Sequence, residues 1–341
     1  MTPTYIAGNH AMKRLHRRQF VHLAACAAAL PAVSRTARAQ SYPSRPITMI
    51  VPFAAGGPVD TLGRIVVERM RVSLRQPVII ENVTGAAGTI AIGRAARASP
   101  DGYTIIFGNW SSHVVVGAIY RLPYDLLKDL EPVALLASTP LLVLSKNTIP
   151  ASNLKQLIAW LKANQDKVSV GTSGTGGGSH VAGVFFQNLI GAHFQFVPYR
   201  GAGPAVNDMV AGQIDLIITG VNAALPQVRA GGIKAYAVTV KARIRAAPDI
   251  PTVDEAGLPE FYVSDWNGLW APRGTPDNVI AKLNVAVMDA LTDASVRSRF
   301  ADLGSEIVPR EQQTPEVLRA YHKAEIEKWW PIIKAAGIKA E

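Results

Sequence analysis

ITMIVPFAAGGPVD (47–60) decides the reading of this chain: an apolar run, then small residues with two glycines, then the start of a helix. Leu62, Ile65, Val66, Met70 and Leu74 repeat behind it at helical spacing. The same order recurs twice. YTIIF (103–107) leads into GNWSSH (108–113), and VSV (168–170) leads into GTSGTGGGSH (171–180). Strands that feed helices through such loops predict an α/β fold, with a mostly parallel sheet covered on both faces. The loops then lie at the carboxyl ends of strands. There, N–H groups at helix starts face a crevice and favour negative charge. Three such loops predict a cleft for a small anionic molecule. None carries a nucleophile, a base or a metal set.

Outward from that stretch, 47–51, 77–80 and 103–107 read as strands. A second α/β unit begins near residue 143, with strands at 141–144, 168–171, 214–218 and 234–240. Ser152 or Asn153 is placed to cap a helix carrying Leu154, Leu157, Ile158 and Leu161. A further helix follows the glycines, from about 179 to 190. After a short strand at 268–271, Thr275 is expected to cap a helix with Pro276 at its first position. Another helix is expected over 315–335. This helical tail has no sheet of its own and is expected to return to the first domain.

The chain has 341 residues, enough for two domains, and is 48% hydrophobic, enough for large cores. Its net charge of +10 is uneven: residues 1–39 hold Lys13, Arg14, Arg17, Arg18, Arg35 and Arg38 and no acid. Without a basic run elsewhere, nucleic-acid binding has little support. Residues 1–39 read as a cleaved export signal: the twin Arg17-Arg18 with Phe20, an Ala/Leu-rich stretch, and Ala37-Arg38-Ala39 as cleavage site. Met12 is an alternative start to Met1. Cys26, the only cysteine, sits in a Leu-Ala-Ala-Cys box that would instead tether a lipoprotein, but the apolar stretch runs on past it. Cleavage after Ala39 predicts a soluble periplasmic chain with no thiol.

In the first loop, Gly56 and Gly57 permit a close approach of backbone to ligand. Asp60 either caps its own helix or meets a group on the ligand. The run 171–180 lacks the Lys-Ser/Thr of a P-loop, the third glycine of a dinucleotide fingerprint and the final glycine of a hydrolase elbow. What remains is a set of N–H donors and hydroxyls suited to a carboxylate, with Ser179 or His180 as alternative helix caps. His113, His180, His193 and His322 have no metal-ligand spacing, so neither metal nor cofactor is expected. In VPYRGAGPA (197–205), Arg200 can pair with a carboxylate or lie on the surface. Tyr199, Phe53, Trp110 and Trp266 are candidate aromatic walls or packing residues.

YPSRPITMIVPFAAGGPVD (42–60), QPVIIEN (76–82), GAAGT (85–89), PDGYTIIFG (100–108), LPYD (122–125), VPYRGAGPA, GQIDL (212–216), IPTVDEAGLP (250–259), LWAPRGTP (269–276) and AAGIKAE (335–341) occur in this order. Together they resemble the Bug-type extracytoplasmic solute receptors of tripartite tricarboxylate transporters, the TctC class. The resemblance covers essentially all of 41–341. It implies a two-lobed, type II-like periplasmic binding protein with two crossing hinge segments. Residues 41–141 and 265–341 would form one lobe and 142–264 the other. It implies capture of a small organic acid, with the transporter's membrane subunits as partners, no nucleic acid and a monomeric chain. The first loop would hold a ligand carboxylate largely through backbone groups and ordered waters, at Phe53, Ala54, Gly56, Gly57 and Asp60. Further contacts would come from Asn109, Trp110, Ser111 and His113, from Thr172, Ser173, Thr175 and Ser179, from Tyr199, Arg200 and Gly201, and from Thr219 and Asn222. Ala55 stands where the family commonly has proline, and Trp110 where a small residue is common, so a relative's ligand does not transfer directly. The resemblance implies a binding protein and not an enzyme. The alternatives are an orphan receptor that presents its ligand to a sensor, and a secreted hydrolase on the same scaffold.

Overall fold

The computed structural model describes residues 42–338, together with Thr2 and Thr4. The expected export signal, its cleavage site and the choice of start lie outside the described residues, apart from those two threonines. The chain divides into two units, Met1–Ser41 and Tyr42–Glu341, and the second carries the fold.

The opening stretch forms strand β1 (Ile47–Val51) and helix α1 (Pro58–Leu74). β2 (Val78–Asn82), α2 (Thr89–Ala96) and β3 (Thr104–Asn109) follow. A π-helical turn, Ser111–Val115, runs directly into the short α3 (Val116–Ile119). β1 lies between β2 and β3, parallel to both. Next comes β4 (Leu130–Lys146), which at 17 residues is far longer than the expected strand at 141–144. The next elements are α4 (Leu154–Ala163), β5 (Ser169–Thr172), α5 (Gly178–Ile190), β6 (Gln195–Pro198) and α6 (Ala202–Val210). β7 (Leu216–Gly220), α7 (Val221–Arg229) and β8 (Ile233–Val238) complete this part. β9 (Ser264–Pro272), α8 (Asp277–Thr292), α9 (Ala294–Asp302), β10 (Glu306–Ile307) and α10 (Pro315–Ala335) close the chain.

The sheet is mixed. β5 is parallel to β6 and β7, as β1 is to its neighbours, so the parallel reading holds for the outer strands. Through the middle the strands run antiparallel. β9 pairs β3 on one side and residues 130–140 of β4 on the other. The rest of β4, from Leu141 on, pairs β7 and β8. One strand thus joins two groups of parallel strands. The chain returns between them after β8, where the Thr239 hydroxyl donates to Val263 O at 2.6 Å and accepts from Leu141 N at 2.9 Å.

Helical periodicity explains the cover. Leu62, Ile65, Val66 and Met70 of α1 share a buried cluster with Val279, Ile280, Leu283 and Val287 of α8. α10 buries Leu318, His322, Ile326, Trp329 and Ile333. His322 Nε2 meets His113 O at 2.7 Å, and Trp330 Nε1 donates to Val114 O at 2.9 Å. The tail therefore covers the sheet that carries β1, β3 and β9, and Trp329 also reaches Phe185 of α5. Asn153 caps α4, accepting from Gln156 N, as one of the two alternatives predicts. Thr275 does not cap α8: its hydroxyl donates to Pro272 O, and Pro276 rather than Thr275 is the cap position.

Candidate functional site

The segments that follow β1, β2, β3, β5, β6 and β7 meet around one cavity of about 740 Å³. That volume is typical of small-molecule sites. The first N–H groups of a helix have no partner within it. Five helices begin on this wall from a glycine: Gly57 before α1, Gly88 before α2, Gly177 before α5, Gly201 before α6 and Gly220 before α7; the π-helical turn that leads into α3 also begins here, from Trp110, and its Ser112 N donates to Asn109 Oδ1. None of the five has a side-chain cap. Away from the wall, α8 also lacks a side-chain cap, with Pro276 at its cap position, but three other helices have one. Asn153, Asp293 and Thr314 cap α4, α9 and α10 with their own oxygens. The donors of these five helices are left open at the cavity, and those of α4, α9 and α10 are closed. Gly88 shows why the type matters: at φ +96, a Cβ there would stand 2.9 Å from Pro52 Cβ.

Of the candidate residues, Phe53, Ala54, Gly57, Asn109, Trp110, Ser111, Ser173, Thr175, Ser179, Arg200, Gly201, Thr219 and Asn222 line the cavity. Gly56, Asp60, His113, Thr172 and Tyr199 do not appear on its wall. Asp60 is buried, and its carboxylate accepts from Gly56 N and Arg64 Nε at 2.8 Å and from Asn82 Nδ2 at 2.9 Å. Burial alone would raise its pKa, but these hydrogen bonds and the Arg64 charge hold it below the usual carboxylate value. Of its two readings, the one toward its own helix start is what the bonds support. Asp60 fixes the first loop from behind. His113 is fully buried, stacked on Trp270 with ring centres 3.8 Å apart. Burial and the nearby His322 push its pKa well down, so its ring is neutral. Tyr199 donates to Asp208 Oδ2 at 2.7 Å, away from the wall. Thr172 is buried at the end of β5.

The glycine-rich loop is braced by the two residues proposed as caps. Ser179 Oγ accepts from Ser173 N at 2.6 Å, and His180 Nδ1 accepts from Gly176 N at 2.9 Å. Trp110 is almost wholly enclosed and forms part of the wall. Its ring meets Trp329 edge-on at 4.9 Å, and its Nε1 has no partner. Trp266 is not on the wall; it is buried, with Nε1 donating to Glu325. Arg200 is exposed at the cavity mouth and has no ion-pair partner among the described residues.

Sequence reasoning did not single out several wall residues. Thr84 supplies one side together with Gly85, Ala87 and Gly88, which lie in a turn quoted above only as a motif. Tyr120, Leu141 and Asp265 supply others. Asp265 is the one acid on the wall. Asn109 Nδ2 donates to its Oδ2 at 2.9 Å, while Oδ1 has no partner. Burial raises its pKa to about 7; Asn109 and the backbone N–H groups of Ser111 and Trp110 pull in the other direction but lose. Period-2 alternation sets Asp265 and Asn267 on one face of β9. That pair of polar residues on one face, ahead of the apolar end of the strand, was the available signal.

Among the described residues no group of His, Cys, Asp and Glu could hold a metal ion, and no helix is long and apolar enough to cross a membrane. Apart from Asp265, the wall offers donors, hydroxyls and one arginine, which is the chemistry of holding an anion.

Comparison with known proteins agrees. Residues 62–338 match the model of the tripartite tricarboxylate transporter family receptor. The chain is 34% identical to the protein BugT of Bordetella pertussis, over 88% of this chain and 92% of that one. MatC from Rhodopseudomonas palustris, solved with bound malate, superposes with a TM-score of 0.80 at 40% identity, over 86% of this chain and 100% of MatC. A second protein of that organism, Rpa4515, solved with adipate, superposes with a TM-score of 0.80 at 31% identity, over 88% of this chain and 100% of the other. The fold is that of the α/β periplasmic binding proteins, and such proteins are solute receptors rather than enzymes. The chain belongs to the tripartite tricarboxylate transporter receptor family.

Proposed function

We propose that this chain is a periplasmic receptor that captures a small organic carboxylate between two lobes and delivers it to a tripartite tricarboxylate transporter. The observation that carries the reading is the set of five glycine-started helices around one cavity. Each offers free N–H donors and the positive end of a helix dipole. Arg200 at the mouth adds a cation. Malate in MatC and adipate in Rpa4515 support a di-acid of similar size. Residues 41–141 with 265–341 act as one lobe and 142–264 as the other. β4 and the return at Thr239 are the crossings about which they close. The mature chain begins at Gln40 after export by the twin-arginine route. No step of chemistry is needed; closure and release are the whole cycle.

A thermal-shift screen over mono-, di- and tricarboxylates tests this. A ligand at 100 times its Kd adds about 2.7 kcal/mol of stability, a shift of several degrees. Stabilisation by neutral or cationic compounds alone would refute it.

A further inference from the structure

Asp265 stands out on a wall otherwise made for anions. It lines the cavity, it is half-buried, and no cation pairs with it among the described residues. Oδ2 is held by Asn109, whose own Oδ1 accepts from Ser112 N at 3.1 Å, so the amide cannot flip without losing a bond. Oδ1 is shielded from water and has no hydrogen-bond partner. A buried carboxylate oxygen without a donor is costly, by more than a lost hydrogen bond between neutral groups. The N–H groups of Ser111 and Trp110 act on the carboxyl and relieve it in part, but neither makes a full hydrogen bond to Oδ1. The groups that act on this carboxyl are the Asn109 side chain and the N–H groups of Ser111 and Trp110, all neutral. Across β4, Thr139 lies opposite it in register, and its hydroxyl is already engaged with Ser305.

We infer that Asp265 is the specificity-determining residue of the cavity, and that its unpartnered oxygen reads a hydrogen-bond donor on the ligand. The ligand class is then narrower than an organic acid: it is an acid that carries a hydroxyl or ammonium group beside a carboxylate. The inference rests on the carboxylate reading of the cavity. The helix starts take the acid; Asp265 takes the donor. Rotation about the Asp265 Cβ–Cγ bond is soft, so a small turn brings Oδ1 to the cavity while Asn109 keeps hold of the carboxyl. An unsubstituted acid brings only negative charge toward that oxygen, and is rejected by repulsion and by an unmet acceptor. Sites with buried polar groups discriminate most strongly against ligands that leave those groups unpaired. The carboxyl's raised pKa, about 7, agrees with a group that lacks its donor in the empty cavity.

The test is titration calorimetry of the purified protein with two matched series at pH 8. One is succinate, malate and aspartate; the other is glutarate, 2-hydroxyglutarate and glutamate. Within each series only the substituent differs. The hydroxy or amino acid of a series should bind at least about tenfold more tightly than its unsubstituted partner. Asp265→Ala should bring them within about threefold of each other, by weakening the substituted acid and sparing or improving the unsubstituted one. Asp265→Asn keeps an acceptor oxygen and the size of the side chain; it should retain the hydroxyl preference and lose the ammonium preference, and it serves if the alanine variant fails to fold. Equal binding across a series in the wild type overturns the inference, as does a preference that survives Asp265→Ala. So does an unsubstituted acid that binds more tightly as pH falls through 7 in the wild type but not in Asp265→Asn, because Asp265 would then be donating a proton to the acid. If no acid of either series binds, the carboxylate reading fails first, and this inference with it.

Discussion

Two acids near the cavity have opposite surroundings, and a residue's type predicts neither. Asp60 looked ambiguous because an acid at a helix start can serve the helix or a ligand. Its three bonds, to Gly56, Arg64 and Asn82, spend both oxygens on the first loop. Asp60→Ala should therefore cost about 1–3 kcal/mol, because it removes three hydrogen bonds to a charged carboxylate. The sign with pH follows from its lowered pKa. A carboxylate depressed on folding stabilises the protein above its unfolded value, about 3.9, and that contribution is lost as pH falls through the folded value. Melting curves from pH 7 to pH 3 should show the wild type converging on Asp60→Ala at the acid end. A constant gap at every pH would mean that Asp60 acts through packing alone. Asp265 escaped the sequence reading because one acid in a strand normally faces water. Only the fold shows that β3 and the turn after it close over this one. Trp110 has features of both readings the sequence leaves open, since it touches the wall and is packed against Trp329. Its burial behind Gly178 was not legible, since it depends on how closely α5 approaches: a Cβ on Gly178 would sit 3.1 Å from the ring.

Among the elements, the loops that repeat strand, small residues and helix were legible because they are local. Each ends as expected at the carboxyl end of its strand. The glycine rule for the cavity-facing helices was legible only in part. The glycines are in the sequence, but which helices share a cavity is a matter of topology. The rule makes a direct prediction. Gly57 precedes α1 with φ −73, a conformation open to any residue, and a Cβ there needs Ala54 O, 3.2 Å away, to give by a few tenths of an ångström. Gly57→Asp would place a carboxylate over the free donors of α1, stabilising the helix as ordinary N-caps do. It should weaken carboxylate binding by at least about tenfold, through competition and repulsion, with the melting temperature held or raised. A loss of binding that came with a lower melting temperature would show damage to the loop instead. The long strand β4 was the main element missed. Pro132 and Pro140 break the usual strand signal in its first part, because proline cannot donate to a ladder. The strand passes both, with register shifts between 132 and 134 and between 135 and 137.

At the scale of the molecule, the antiparallel centre of the sheet is what lets one chain build two groups of parallel strands around a shared cavity. β4 crosses from one to the other, and the return after β8 is tied to it through Thr239, which bonds Leu141 and Val263. The proposed function makes one requirement of that cavity: an acid group on the ligand must supply the binding energy. The most direct measurement is titration calorimetry of the purified protein with a bound di-acid from the thermal screen and with its dimethyl ester. The two have the same carbon skeleton between their ends and differ in charge and in the oxygens that accept hydrogen bonds. The account predicts measurable heat and saturation for the di-acid, and no binding of the ester at a hundred times that concentration. An ester that binds as tightly as its acid would contradict it.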